Sequence, residues 1–207
     1  MLSTDEHLES IGATGKPPRS GLLWFAGLYA LAGGLASLAG WAADIRPLTD
    51  WIDSGISIQP NTTIAAACAG FAVLALARGR RSAAVALGCL VALIGASALI
   101  QYLTGTHFDA LNTALMFDRD WGRNSLLHPG LMGPAGATCW TLLGTALVLA
   151  SADAGSRRRR IAALLCLPPL AITLLAFAGY LYRVDTFHAL PLLTRMALQG
   201  GSSPLAD

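Results

Sequence analysis

Charge is scarce in this sequence. Asp, Glu, Lys and Arg make up 13% of its 207 residues, against roughly 25% in a soluble domain. None of them falls in the middle of a long apolar run. Ion-coupled transport and proton pumping place ionisable groups at membrane depth, so neither is expected here. Catalytic signatures are missing too. There is no HExxH, no phosphate-binding glycine loop, no Ser/His/Asp constellation and no paired carboxylate inside an apolar run, so the chain is not expected to be an enzyme. The four cysteines, Cys68, Cys89, Cys139 and Cys166, show no CxxC or Cys/His spacing, which argues against zinc and thioredoxin-type sites. They read as small residues buried in apolar surroundings. Residues 1–20 are polar, and the first apolar run is too long for a signal-peptide core, so a cleavable leader is not expected. The formal charge of +2 identifies no partner. Neither nucleic acid nor a cofactor is expected.

What the sequence does have is apolar length. Hydrophobic residues make up 54% of it, gathered in runs of the ~20 residues that cross a bilayer. The expected fold is all-α: a polytopic membrane helix bundle of about five transmembrane helices with an internal hairpin repeat. Spans are placed at about 21–43, 58–77, 82–103, 131–152 and 161–182. A polar tail precedes them at 1–20, and a second tail follows at 183–207. The lipid bilayer is the expected partner, with other membrane helices or a second copy packed alongside.

Small residues mark the expected helix contacts. Ala30/Gly34, Ala36/Gly40 and Gly88/Ala92/Ala96 recur at four-residue spacing, which lets helix backbones approach within lipid. Trp24 and Trp41 lie near the two ends of the first span, where indole rings favour the membrane interface. Pro168-Pro169 removes two backbone donors and is expected to kink the fifth span near its first third.

One unit is used twice. Pro60-Asn61-Thr62 opens a run with Gly70 near its middle, and Pro134 opens another with Gly144 at the same distance. A fainter third opening stands at Arg195-Met196-Ala197-Leu198. Proline is favourable in a first helical turn, where its missing donor would be unpaired anyway. A threonine hydroxyl there can cap exposed amides, and paired helix N-termini can favour an anion. Gly70 and Gly144 are expected to mark close helix contacts, and Leu74 and Leu149 to matter less.

Orientation follows from arginine. Arg78, Arg80 and Arg81 fill one short turn, Arg157 to Arg160 another, and Lys16 and Arg19 precede the first span. The positive-inside rule makes these segments cytoplasmic. The N-terminus is then inside, and the links at 44–57 and 104–130 and the tail lie outside.

The Pro-Asn-Thr-small-aliphatic opening and its mid-run glycine resemble the N-terminal multi-span membrane sensor region of bacterial sensor histidine kinases and diguanylate cyclases. There, Met-x-Pro-Asn-Thr-Ala-type openings each begin an inward span. Pro60-Asn61-Thr62 with Gly70 fits this pattern. Met132-Gly133-Pro134 with Gly144 fits in part, because Ala135-Gly136 stands in place of Asn-Thr. Met196-Ala197-Leu198 fits only the opening. Outward spans end alike at Gln101-Tyr102-Leu103 and Gly179-Tyr180-Leu181. The resemblance spans roughly residues 20–199. It implies an inner-membrane, multi-pass input module for signal transduction of the two-component or cyclase type. It also implies a sixth span and a cytoplasmic PAS, kinase or GGDEF domain. Only eight residues follow Gln199, so the C-terminus is expected outside and the output domain is expected to be absent from this chain.

Candidate ligand residues cluster beyond the outward ends: His107, Asp109, Arg183, Asp185 and His188. Imidazoles there can bind a ligand, titrate near neutral pH, or remain solvated. His107, His128 and His188 are also the candidate metal or haem ligands. The intramembrane threonines and Gln101 are expected to bond helix backbone. Two other functions stay open beside the sensory one. One is a structural or assembly subunit that only packs against membrane proteins. The other is a haem- or metal-binding membrane protein.

Overall fold

The computed structural model describes residues 19–50, 57–106, 130–152 and 155–181. The described residues are helical with short connections. Helix α1 spans Arg19–Ala43 and is followed by a 3-10 turn at Arg46–Leu48. Then come α2 at Pro60–Ala77, α3 at Arg81–Thr104 and α4 at Pro134–Ser151. Helices α5 (Ser156–Leu165) and α6 (Leu167–Leu181) follow. Among the described residues, five helical stretches are long and apolar enough to cross a membrane, the fifth being Arg157–Ala178 across α5 and α6. At ~1.5 Å per residue, the 25 residues of α1 exceed the ~30 Å hydrocarbon core. The 18-residue helices α2 and α4 nearly match it.

Each helix begins and ends for a local reason. Pro60 and Pro134 open α2 and α4, and the residues before them, Gln59 and Gly133, are extended, as a residue preceding proline must be. Helix α1 stops where Asp44 adopts φ 62° and Ile45 N–H returns to the Gly40 carbonyl at 2.8 Å. This is a Schellman closure with aspartate in the left-handed position usually held by glycine. Helix α3 stops at Gly105, φ 66°. The arginine turn after α2 closes the same way: Gly79 has φ 74°, and Arg80 N–H bonds the Ala75 carbonyl at 2.8 Å.

The double proline interrupts the last span. Pro168 and Pro169 cannot donate to Leu164 and Leu165, and the helix breaks at Cys166, whose N–H turns to Ala163 at 3.1 Å. Helix α6 resumes at once, and Thr173 Oγ donates to the Pro169 carbonyl at 2.8 Å.

Packing divides the described residues into two hairpins. The most extensive contacts are α1 with α2 and α3 with α4, with α2 against α3 next. Helices α5 and α6 touch mainly α4 and each other, and α6 leaves Leu170, Leu174 and Phe177 exposed. In a bilayer such a face meets lipid without penalty.

Candidate functional site

The two hairpins are one structure used twice. On the first helix of each hairpin, Gly27, Leu31, Gly34 and Trp41 of α1 are each 61 residues before Gly88, Ala92, Gly95 and Tyr102 of α3. On the second helix, Ile58, Pro60, Thr63, Ala67 and Gly70 are each 74 residues before Met132, Pro134, Ala137, Thr141 and Gly144, with Ile58 and Met132 just ahead of α2 and α4. Contacts follow the same register. A Cβ on Gly34 would stand 2.5 Å from the Ala67 nitrogen, and a Cβ on Gly95 would stand 2.5 Å from the Thr141 nitrogen. A Cβ on Gly70 would meet the backbone of Gly27 and Leu31; on Gly144 it would meet Gly88 and Ala92. Only glycine allows these approaches.

The contacts combine a seven-residue spacing, Gly27/Gly34 and Gly88/Gly95, with part of the four-residue stripes read from the sequence, since Gly34 and the pair Gly88/Ala92 lie at the contacts. The signal was present as Gly27/Gly34 repeated in Gly88/Gly95. Gly40 belongs elsewhere: the 3-10 turn folds over it, and a Cβ there would come 2.8 Å from Leu48 Cβ and 2.9 Å from Thr49 Cγ2. Leu74 is 4% exposed and lies over Gly27, so it is a packing residue and not a lipid-facing one.

An aromatic latch closes the proline end of each hairpin. Trp41 is fully buried, and its Nε1 donates to the Ile58 carbonyl at 2.8 Å. This corrects its assignment to the membrane interface: the ring is core, and its one donor is satisfied on protein. The Ile58 amide is held by the Thr49 carbonyl at 2.8 Å. At the equivalent place Tyr102 Oη donates to the Met132 carbonyl at 3.2 Å. Trp24 does stand near the opposite end, with the Arg78 guanidinium 4.6 Å above its ring.

The helix openings are architecture. Neither α2 nor α4 has a side-chain cap bond to its first turn from its N-cap residue. Asn61 Oδ1 accepts the Thr62 N–H at 2.9 Å, so the asparagine and not the threonine serves an exposed amide. Thr63 bonds the Pro60 carbonyl, and Thr138, Thr141 and Thr145 bond carbonyls four residues back. Gln101 likewise donates to Ser97 at 3.3 Å. These groups are turned onto backbone, as expected of hydroxyls in lipid.

The hairpins differ inside. In the second, Ala98, Leu131, Met132 and Ala137 form a buried cluster, with Ile94, Tyr102 and Trp140 packed on it. The first hairpin places Ser37, Ser57, Ile58 and Thr63 at the cluster positions, and Gly33, Trp41 and Ala66 at the packed ones. Side-chain volume is lost at Gly33 and Ala66. A cavity of about 280 Å³ lies there, lined by Gly33, Ser37, Ile58, Thr63 and Ala66, with Trp140 closing it from the other hairpin. Tyr29 also lines it, and is 66% exposed to the surroundings of the bundle.

The walls of the cavity are almost entirely apolar. Ser37 is 1% exposed, and its Oγ has no hydrogen-bond partner. Gln59 Oε1 and Ser151 Oγ share that condition among the described residues, but they do not line the cavity. A buried hydroxyl left unpaired costs about 1–3 kcal/mol. Thr62, also on the wall, uses its amide but has no side-chain bond among the described residues. Sequence reading missed Ser37 and Trp140, because nothing in the sequence signals a void.

The candidate residues His107, Asp109, His128, Arg183, Asp185 and His188 lie outside the described residues. Among the described residues no three His, Cys, Asp or Glu side chains gather as a metal site. The four cysteines are unpaired thiols, with Cys89 and Cys166 exposed on the helix surface. Comparison with protein-family models, curated proteins and solved structures finds no match.

Proposed function

We propose that this chain is the membrane-embedded input module of a bacterial signalling protein of the histidine kinase or diguanylate cyclase type. In this reading it sits in the inner membrane with its arginine turns in the cytoplasm, and does no chemistry itself. The observation that carries the reading is the asymmetry of two hairpins built on one plan. Each is locked internally by glycine-to-backbone contacts, one is filled and the other hollow. The two hairpins meet through the lesser α2–α3 seam, and in this reading that seam is the element biased between packings. Occupancy or bilayer state acting on the hollow hairpin supplies the differential interaction that such a bias requires. The charge-poor spans and the proline openings support the same reading.

The test is deletion of the gene in its own host, with cyclic dinucleotide level and response-regulator phosphorylation as readouts. A change restored by the wild-type gene, but not by one carrying Gly70→Leu and Gly144→Leu, is the expected result. If both readouts stay unchanged, the signalling reading fails and a packing subunit remains.

A further inference from the structure

We infer that the arginine end of the bundle is a binding surface for the headgroup of an anionic phospholipid, its phosphate held between the start of α3 and the start of α5. The two arginine turns are far apart in sequence, and the α3–α4 hairpin brings them together. Gly95 packs on Thr141, Gly144 on Ala92, and Gly88 on Val148. That antiparallel register, continued by two turns, sets Arg81 level with Gly155. Arg78, Arg80, Arg81 and Arg157 to Arg160 therefore share one end of the bundle, and all are exposed. Among the described residues the carboxylates are Asp44 and Asp50, at the opposite end, and Arg80 and Arg157 to Arg160 make no ion pair. Neither α3 nor α5 has an acidic residue in its first turn or a side-chain bond from its N-cap. Cations are disfavoured at a helix N-terminus, so this end carries a crowd of positive charge that only an anion relieves.

Position selects a lipid over a soluble anion. Arg157, Ile161 and Leu164 follow one another at helical spacing on a single face of α5, with Arg160 one turn from Leu164. Ile161 and Leu164 are 39% and 61% exposed. A ligand on this face therefore meets charge first and hydrocarbon directly below it, the order of a phospholipid. Arg157 also opens the 22-residue stretch that ends at Ala178. At ~1.5 Å per residue that stretch matches the ~30 Å hydrocarbon core, which puts its first turn at the level of the phosphates. Arginine suits the task, because its planar fork gives phosphate two parallel hydrogen bonds. Arg78 is steadied by Trp24, 4.6 Å below it, and stacking leaves the N–H edges of a guanidinium able to donate. A zwitterionic headgroup brings its own cation to a surface already crowded with cations, so the anionic headgroup is preferred. This assignment stands on the arginine end alone and does not depend on signalling.

The experiment uses the full chain, delipidated in detergent and titrated with phosphatidylglycerol or with phosphatidylethanolamine of the same acyl chains. Native mass spectrometry reads bound lipid per chain. Phosphatidylglycerol should bind at least about fivefold more tightly, the effect of roughly one arginine at an anionic surface. The triple variant Arg80→Gln, Arg157→Gln, Arg158→Gln keeps four arginines at that end to hold its orientation, and should lose the preference. Arg46→Gln, an exposed arginine at the opposite end, removes charge without touching the surface and should keep it. Glycerol 3-phosphate, which has the phosphate and lacks the chains, should not displace the lipid at tenfold excess. Equal binding of the two lipids by the wild type overturns the assignment. So does an unchanged preference in the folded triple variant, or a loss in Arg46→Gln as large as in the triple variant. Displacement by glycerol 3-phosphate would make the ligand a soluble anion and overturn it too. If the triple variant does not fold, the wild-type comparison of the two lipids and the glycerol 3-phosphate competition decide.

Discussion

Gly70 and Leu31 meet backbone to backbone: a Cβ built on Gly70 would stand 2.5 Å from the Leu31 amide nitrogen. The same relation holds between Gly144 and Ala92 in the second hairpin. Water-driven burial does not hold helices together inside a bilayer, so close van der Waals packing supplies much of the association. The glycines are where that packing is tightest.

Leucine at either glycine should therefore force the helices apart. Gly70→Leu and Gly144→Leu are each expected to destabilise by about 1–3 kcal/mol or more, read as a lowered melting temperature in detergent. Leu93→Ala, at a position 66% exposed, should change little. Leu74→Ala removes a buried side chain and should cost about 2–5 kcal/mol. Equal melting of Gly70→Leu and wild type would show that the seam is not where α1 and α2 are held.

The aromatic latches offer a paired test. Tyr102→Phe keeps the ring and loses the bond to Met132, an expected cost of about 0.6 kcal/mol, typical of side-chain bonds within membrane proteins. Trp41→Phe loses both its bond to Ile58 and ring volume, and should cost more. The latches belong to different hairpins, so the double variant should show the sum of the two effects. A strong departure from additivity would mean that the hairpins are coupled through their proline ends.

Gly105 and Asp44 occupy the same left-handed position after α3 and α1, at φ 66° and 62°. A β-branched residue is strained there, so Gly105→Val should cost about 1–2 kcal/mol. Asp44→Gly copies the second hairpin and should be tolerated. Chemical denaturation of both variants in mixed micelles checks the contrast. A destabilising Asp44→Gly would assign the aspartate side chain a role beyond its backbone angle.

Topology rests on the arginine turns. Reporter fusions after Gly79 and Ser156 should be cytoplasmic, and those after Asn112 and at the C-terminus periplasmic. A cytoplasmic reporter active at the C-terminus would overturn the five-span, C-terminus-out arrangement.

Length, hydropathy and punctuation determined much of this protein directly. Runs of apolar residues require helices, because a bilayer leaves backbone groups no other partner. Proline at Pro60 and Pro134 set where two helices begin, and Pro168-Pro169 set where the last one breaks. The match between Gly70 and Gly144 was legible because a repeated glycine is a local property of the chain. Which small residues touch was not legible. Ala30/Gly34 and Gly27/Gly34 are equally plausible stripes until the crossing of two helices selects the seven-residue face. Trp41 illustrates the limit: its place near a span end suggests the interface, and only the fold shows it buried with its Nε1 on the Ile58 carbonyl. The hollow beside Ser37 was decided by tertiary structure alone. A cavity is a relation among side chains from three helices, and Gly33, Ala66 and Trp140 acquire that relation only when the hairpins pack.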